Sequence, residues 1–177
     1  MKRYDLINAV NSRGTFACTR AVLPHMLKQG WGRIITMSPP ISHSMLKGKV
    51  AYSISKFGMS FLAMGLAEEV AGTGVTANAL WPATAVESFA TKNFKMGDES
   101  VWRKASILAD ATLEICLSDV TGQTLIDEDF LRTRGWTDFT KYRCNPDVEP
   151  PRIDDFRDFQ ASKPGEALNT EAYRSKF

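Results

Sequence analysis

Segments with helical spacing of apolar residues alternate with short runs of strand character along most of this chain, and that alternation limits the fold more than any other feature. From about Tyr4 to Gln29 the apolar residues Leu6, Ile7, Val10, Phe16, Val22, Leu23, Met26 and Leu27 recur at mostly helical intervals, ended by Gly30 and Gly32. Gly14 interrupts that helix and suggests a kink or close packing. Arg33-Ile34-Ile35-Thr36-Met37 reads as a short buried strand stopped by Ser38-Pro39-Pro40, since proline cannot continue a ladder. A second helix is predicted from about Val50 to Val70, closed by Gly72 and Gly74. Val75 to Leu80 is a strand ended by Trp81-Pro82, Glu99 to Cys116 returns to helical spacing, and Gly122 to Asp127 reads as a third strand. The segment from Ala83 to about Asp98 has no firm period and reads as a long loop with some helix, a length at which loops often act as lids. The pattern predicts an α/β fold with a parallel sheet.

The second helix opens with Tyr52 and Lys56, one turn apart on one face. A free phenol has a pKa of about 10 and exchanges protons poorly near neutrality unless a cation lowers that value. The pair is therefore a candidate acid/base device. Taken alone, Tyr-x-x-x-Lys is a weak signal, because the same spacing arises by chance on solvated helix faces.

At 177 residues, with 44% hydrophobic and 24% charged positions, the chain suits one soluble domain. A net charge of +2, spread along the sequence, gives no reason to expect nucleic acid or a membrane surface. Cys18, Cys116 and Cys144 lie too far apart for a disulfide framework or a zinc site, and His25 and His43 lack partners at metal-ligand spacing, so no metal is expected. No apolar run is read as approaching the length of a membrane span. After about Arg134 the composition turns polar, so residues 1–134 are read as the domain and 135–177 as a tail that wraps it or is partly disordered. A cytoplasmic location is the default. The final Ser175-Lys176-Phe177 keeps a peroxisomal address as the alternative, with the wrong last residue.

Four motifs in register, Asn11-Ser12-Arg13-Gly14, Gly32 to Ser38, Tyr52 with Lys56, and Asn78-Ala79-Leu80-Trp81-Pro82, resemble the second half of a short-chain dehydrogenase/reductase over roughly residues 4–152. Ser-Pro-Pro at 38–40, Ala-Leu-Trp-Pro at 79–82 and Ile126 to Asp129 resemble one branch of that family. The resemblance implies the C-terminal portion of a Rossmann-type, doubly wound parallel sheet, and an oxidoreductase acting on a hydroxyl or carbonyl substrate with NAD or NADP. It implies Tyr52 as general acid/base, Lys56 as the cation that lowers its pKa and binds the nicotinamide ribose, and Asn11 as the holder of a relay water. Pro82 and Ala83 to Val86 would pass beside the nicotinamide, with Ala85 or Val86 positioning its carboxamide. The family's substrate-orienting serine falls at Pro39, which leaves Ser38, or Ser42 and Ser44 in the same loop, to replace it.

No Gly-x-Gly-x-x-Gly or Gly-x-x-x-Gly-x-Gly turn occurs in the sequence, so the family's pyrophosphate site and its first four strands are missing. The expectation is an N-terminally truncated form of doubtful activity on its own, whose strand at Arg33 to Met37 presents an open edge. Helices 4–29 and 50–71 match elements that commonly form the family's dimer interface, which implies a homo-oligomer or hetero-oligomer. The alternative function is a non-catalytic subunit that pairs through those helices with a full-length relative. Met45, Leu46, Trp81, Phe89 and Phe94 hint at a lipophilic substrate such as an acyl chain or sterol, against the common case in which such residues pack a core. Glu68-Glu69 is read as helix surface, and Asp127-Glu128-Asp129 as either structural or specificity-bearing.

Overall fold

The computed structural model describes residues 1–40, 46 and 48–153. The chain opens with helix α1 (Lys2–Asn8), a π-helical turn (Ala9–Arg13) and helix α2 (Gly14–Gln29). The interruption foreseen at Gly14 is this wide turn. A β-carbon on Gly14 would stand 3.3 Å from the Ala9 carbonyl oxygen, so the glycine follows from the crowding of the bulged backbone. Gly30, at φ 69°, ends α2 in the left-handed conformation.

Strands β1 (Gly32–Met37), β2 (Val75–Trp81) and β5 (Thr124–Ile126) form a parallel sheet in the order β1-β2-β5. Both connections are helical: α3 (Val50–Glu69) links β1 to β2, and α5 (Ser106–Cys116) lies between β2 and β5. Side chains alternate across the pleat, and the two faces feed separate cores. On one face Ile34, Val75 and Ala77 pack with Leu66, Ala67 and Val70 of the α3 end, backed by Leu23 and Met26 of α2. On the other, Leu80 joins Ile107, Ala111 and Ile115 of α5 and Leu131 of α6 (Asp127–Thr133). Covered on both sides, β2 is buried from Val75 to Leu80 and reads as a continuous run. Among the described residues β1 has no strand neighbour on its outer edge.

Three expectations change. Helix α5 begins at Ser106, seven residues later than Glu99, because Trp102–Arg103 forms strand β4 in parallel with β3 (Ala85–Val86). Strand β3 comes from the segment without a firm period, and β4 from the start of the stretch read as helix. Secondly, α3 does reach the length and apolarity of a membrane span, with a mean hydropathy of 1.3. Its small and polar residues Ser53, Ser55, Ser60, Ala63 and Ala67 are buried and it packs on β1 and β2, while Ile54, Phe61 and Met64 are exposed. Lastly, the third strand, expected over Gly122 to Asp127, spans Thr124–Ile126, and Asp127 opens helix α6.

Residues 135–153 lie against the domain. Phe139 and Tyr142 belong to the α5 core, and Tyr142 carries a short helical turn (Thr140–Tyr142). Arg143 bridges to Arg103 antiparallel, and Arg152 to Thr84.

Candidate active site

The carboxyl ends of β1 and β2 open onto a cavity of about 790 Å³. Met37, Ser38 and Pro39 at the end of β1, with Leu80 of β2 and Pro82 just beyond it, line one side. Tyr52 and Lys56 enter from α3, while helix α4 (Phe89–Asn93) and the residues after it add Phe94, Met96 and Val101. Open α/β sheets bind ligands at this end because the strands stop there and their connections diverge.

Asn11, Tyr52 and Lys56 are linked through α3. Asn11 lies within the π-helical turn and donates from Nδ2 to Ser55 Oγ at 2.9 Å; Ser55 in turn donates to the Tyr52 carbonyl at 2.7 Å. Ser12 adds a bond to the Ser55 carbonyl at 2.7 Å. The contact is close because residue 58 is glycine: a β-carbon there would meet Ser12 Oγ at 2.6 Å. The bulge in the first helix thus grips the turn that carries Tyr52.

Lys56 extends its ammonium to the Met37 carbonyl oxygen at 2.9 Å. Desolvation holds this lysine below its ordinary pKa and pushes the Tyr52 phenol up. The expected lowering of the tyrosine by its lysine is therefore not the state seen here. The cation is turned to the end of β1, and burial dominates at the phenol.

Ser38 is buried, and its hydroxyl is shared with Ser60 Oγ at 2.8 Å. The Trp81 indole also donates to Ser60, at 3.1 Å. Ser60 therefore clips the ends of β1 and β2 to α3, a role hidden in the sequence because a lone serine in an apolar helix carries no motif. Ser42 and Ser44 lie outside the described residues, as does Met45. Among the aromatic residues expected to shape a substrate site, Phe94 lines the cavity and Phe89 points to solvent.

Pro82, Ala85 and Val86 line the cavity, and buried Ala83 holds the loop between them. Asp127 Oδ1 accepts the Ala83 N–H at 2.8 Å and the Glu128 N–H at 2.6 Å. Burial pushes the Asp127 carboxyl up to about 6, against those two hydrogen bonds and the nearby Arg103 charge. Arg103, itself buried, stands 2.7 Å from Glu128 and donates to the Phe139 carbonyl at 3.2 Å. Glu128 also pairs with Arg132 at 2.6 Å, and Asp129 with Arg152. The acidic run after β5 is thus tied to Ala83, Arg103 and Arg152, each next to a residue or loop beside the cavity. Glu68 and Glu69 are exposed, as expected of a helix surface.

A parallel sheet with helical crossovers, and a tyrosine and lysine facing a cavity at its carboxyl edge, define the C-terminal part of a Rossmann-type oxidoreductase domain. Residues 1–97 match the family model for short chain dehydrogenases, and the chain belongs to the short-chain dehydrogenase/reductase family. Its relatives include proteins called hydroxysteroid dehydrogenase-like protein 2: that of Danio rerio is 39% identical over 153 residues, and that of Homo sapiens 38% over 150. Each match covers 82% of this chain and 36% of the relative, so the chain spans about a third of the length of the curated relatives it matches. A putative dehydrogenase from Xanthomonas campestris superposes with a TM-score of 0.76 at 35% identity, covering 86% of this chain and 58% of the other. A short chain dehydrogenase from Mycobacterium thermoresistibile gives 0.75 at 37% identity, covering 86% and 56%.

Proposed function

We propose that this chain supplies the catalytic and substrate-binding half of an NAD(P)-dependent oxidoreductase that interconverts a hydroxyl and a carbonyl group on a lipophilic substrate. The observation that carries this reading is the placement of Tyr52 and Lys56 on the wall of an apolar cavity at the strand ends. Met37, Leu80, Val86, Phe94, Val101 and Leu108 make most of the lining apolar, and the volume lies within the range of small-molecule sites. A putative NAD(P)-dependent gluconate 5-dehydrogenase from Beutenbergia cavernae, 26% identical with a TM-score of 0.59, carries bound NADP.

The residues present fit one end of such a dinucleotide. An apolar cavity with a lysine ammonium and a phenol on its wall suits a nicotinamide and its ribose, whereas the 177 residues contain no glycine-rich turn for the pyrophosphate. Lys56 and Tyr52 would hold the nicotinamide ribose, and Pro82, Ala83, Ala85 and Val86 would flank the ring. When bound, the nicotinamide supplies or accepts hydride.

Tyr52 then does the proton work. In reduction, charge develops on the substrate oxygen, and the phenol donates its proton there as it forms; in oxidation the phenolate takes it back. For that exchange to run near neutrality the phenol must come down from its raised value. Release of Lys56 from Met37 toward the tyrosine and ribose would do this by bringing a positive charge close. Asn11, held against Ser55, would keep the turn carrying Tyr52 in place and hold the water that resupplies protons. Ser38 would orient the substrate only if its hydroxyl left Ser60, so its proposed part is to set the end of β1.

Exposed Leu6, Val10 and Phe16 on the first helices, with Phe61 and Met64 on α3, support an oligomer formed through helices 4–29 and 50–71. Calorimetric titration tests the cofactor reading with NADH, NADPH and reduced nicotinamide mononucleotide, which lacks the pyrophosphate bridge and adenosine. Binding of the mononucleotide, weakened in Lys56→Met, is the expected outcome. A folded chain that binds none of the three contradicts the reading.

A further inference from the structure

The acidic run that opens α6 holds three residues beside the cavity, Ala83, Arg103 and Arg152, and the last of these belongs to a segment with no family motif. Asp129 accepts both terminal nitrogens of Arg152, at 2.9 and 2.8 Å, a two-pronged pairing that fixes orientation as well as distance. Arg152 sits in an extended strap lying antiparallel to Thr84, and Ile153 donates its N–H to the Ala83 carbonyl at 2.6 Å. Pro150 and Pro151 precede it and have no N–H to donate, so the side-chain pair adds to the few main-chain bonds that hold the strap. Pro151 and Ile153 line the cavity, and Ile153 is buried. The strap is therefore a wall of the cavity, fastened to the loop that carries Ala83 and Ala85.

We propose that Asp129 and Arg152 are specificity-determining positioning residues: their ion pair latches the strap, and Pro151 and Ile153 set how long an apolar chain the cavity accepts. The inference rests on the reading of this cavity as the substrate site and adds the element that sizes it. The other two acidic residues hold different parts, Asp127 the Ala83 N–H and Glu128 the Arg103 guanidinium, so the latch can be broken without releasing them.

The test uses the whole chain with the fluorescent fatty-acid analogue dansylaminoundecanoic acid as probe, displaced by methyl ketones of short and long chain. Asp129→Asn and Arg152→Met each break the latch, and the exchanged pair Asp129→Arg with Arg152→Asp restores opposite charges. Both single variants are expected to raise the affinity for the longest ketone relative to the shortest by roughly threefold to fivefold, the scale of an ion pair partly open to water. The exchanged pair is expected to return most of that ratio, and hydrogen exchange at the Ile153 amide to rise in the single variants. Probe binding with an unaltered chain-length ratio in both single variants would overturn the latch and leave the substrate reading standing. No binding of probe or ketone to the wild-type chain would overturn the substrate reading and the latch with it.

Discussion

The ammonium of Lys56 lies 2.9 Å from the carbonyl oxygen of Met37, and through that bond helix α3 is tied to the end of β1 beside the cavity. Desolvation then governs Tyr52 and pushes its phenol up. Replacing Lys56 with methionine is thus expected to leave the Tyr52 titration in the free protein unchanged. Ultraviolet difference titration above pH 10, with Tyr52→Phe as blank, checks this. A marked rise in Lys56→Met would mean that the lysine already acts on the phenol.

Gly58 lets α3 approach Ser12 beneath the site, since a β-carbon at 58 would stand only 2.6 Å from the serine oxygen. Gly58→Ala should destabilise the fold by roughly 1–3 kcal/mol, the usual cost of overpacking. Ser12→Ala removes the clashing oxygen but also its bond to the Ser55 carbonyl. The double variant should therefore lose less than the sum of the single losses, as read by urea denaturation.

Asp127 gives a pH dependence of defined sign. Its folded value is raised from 3.8 to about 6, so between those values the folded chain holds a proton that the unfolded chain releases. Its contribution is complete below about pH 4 and is lost as pH rises through about 6, a change on the order of 3 kcal/mol at most. Asp127→Asn keeps an acceptor for the Ala83 N–H and cannot titrate. The stability difference, wild type minus variant, should decline across this window. A difference that stays level would place the shift elsewhere.

Tyr142 anchors residues 135–153 by donating its hydroxyl to Asp110 at 2.5 Å from a buried ring. Burial, and then the Asp110 carboxylate, push the phenol up, and the hydrogen bond from Tyr142 holds Asp110 below its usual range. Tyr142→Phe should cost about 1–2 kcal/mol, because Asp110 keeps Lys141 and access to water as partial replacements. Thermal unfolding, together with hydrogen exchange at the Lys104 amide that donates to the Tyr142 carbonyl, would read the loss.

The parallel sheet was legible because each of its strands is a short β-rich run bounded by glycine or proline and separated by a helical period. Tyr52 and Lys56 were legible because a fixed spacing on a helix fixes their shared face. Arg103 and Glu128 were not: each reads as surface by composition, yet the two are buried together as an ion pair across 24 intervening positions. β3 and β4 have two residues each, too few to display a period. The polar segment after Arg134 reads as tail, yet Arg143 meets Glu149 at 2.5 Å and Arg152 meets Asp129 at 2.8 Å, pairings that depend on the fold.

The most direct measurement of the central claim is reduction of a long-chain methyl ketone by this protein with reduced nicotinamide mononucleotide, comparing wild type with Tyr52→Phe. The account expects turnover in the wild type that falls at least about a hundredfold in the variant, the usual contribution of a positioned proton donor. Equal rates in two folded proteins, or none in either, would contradict it.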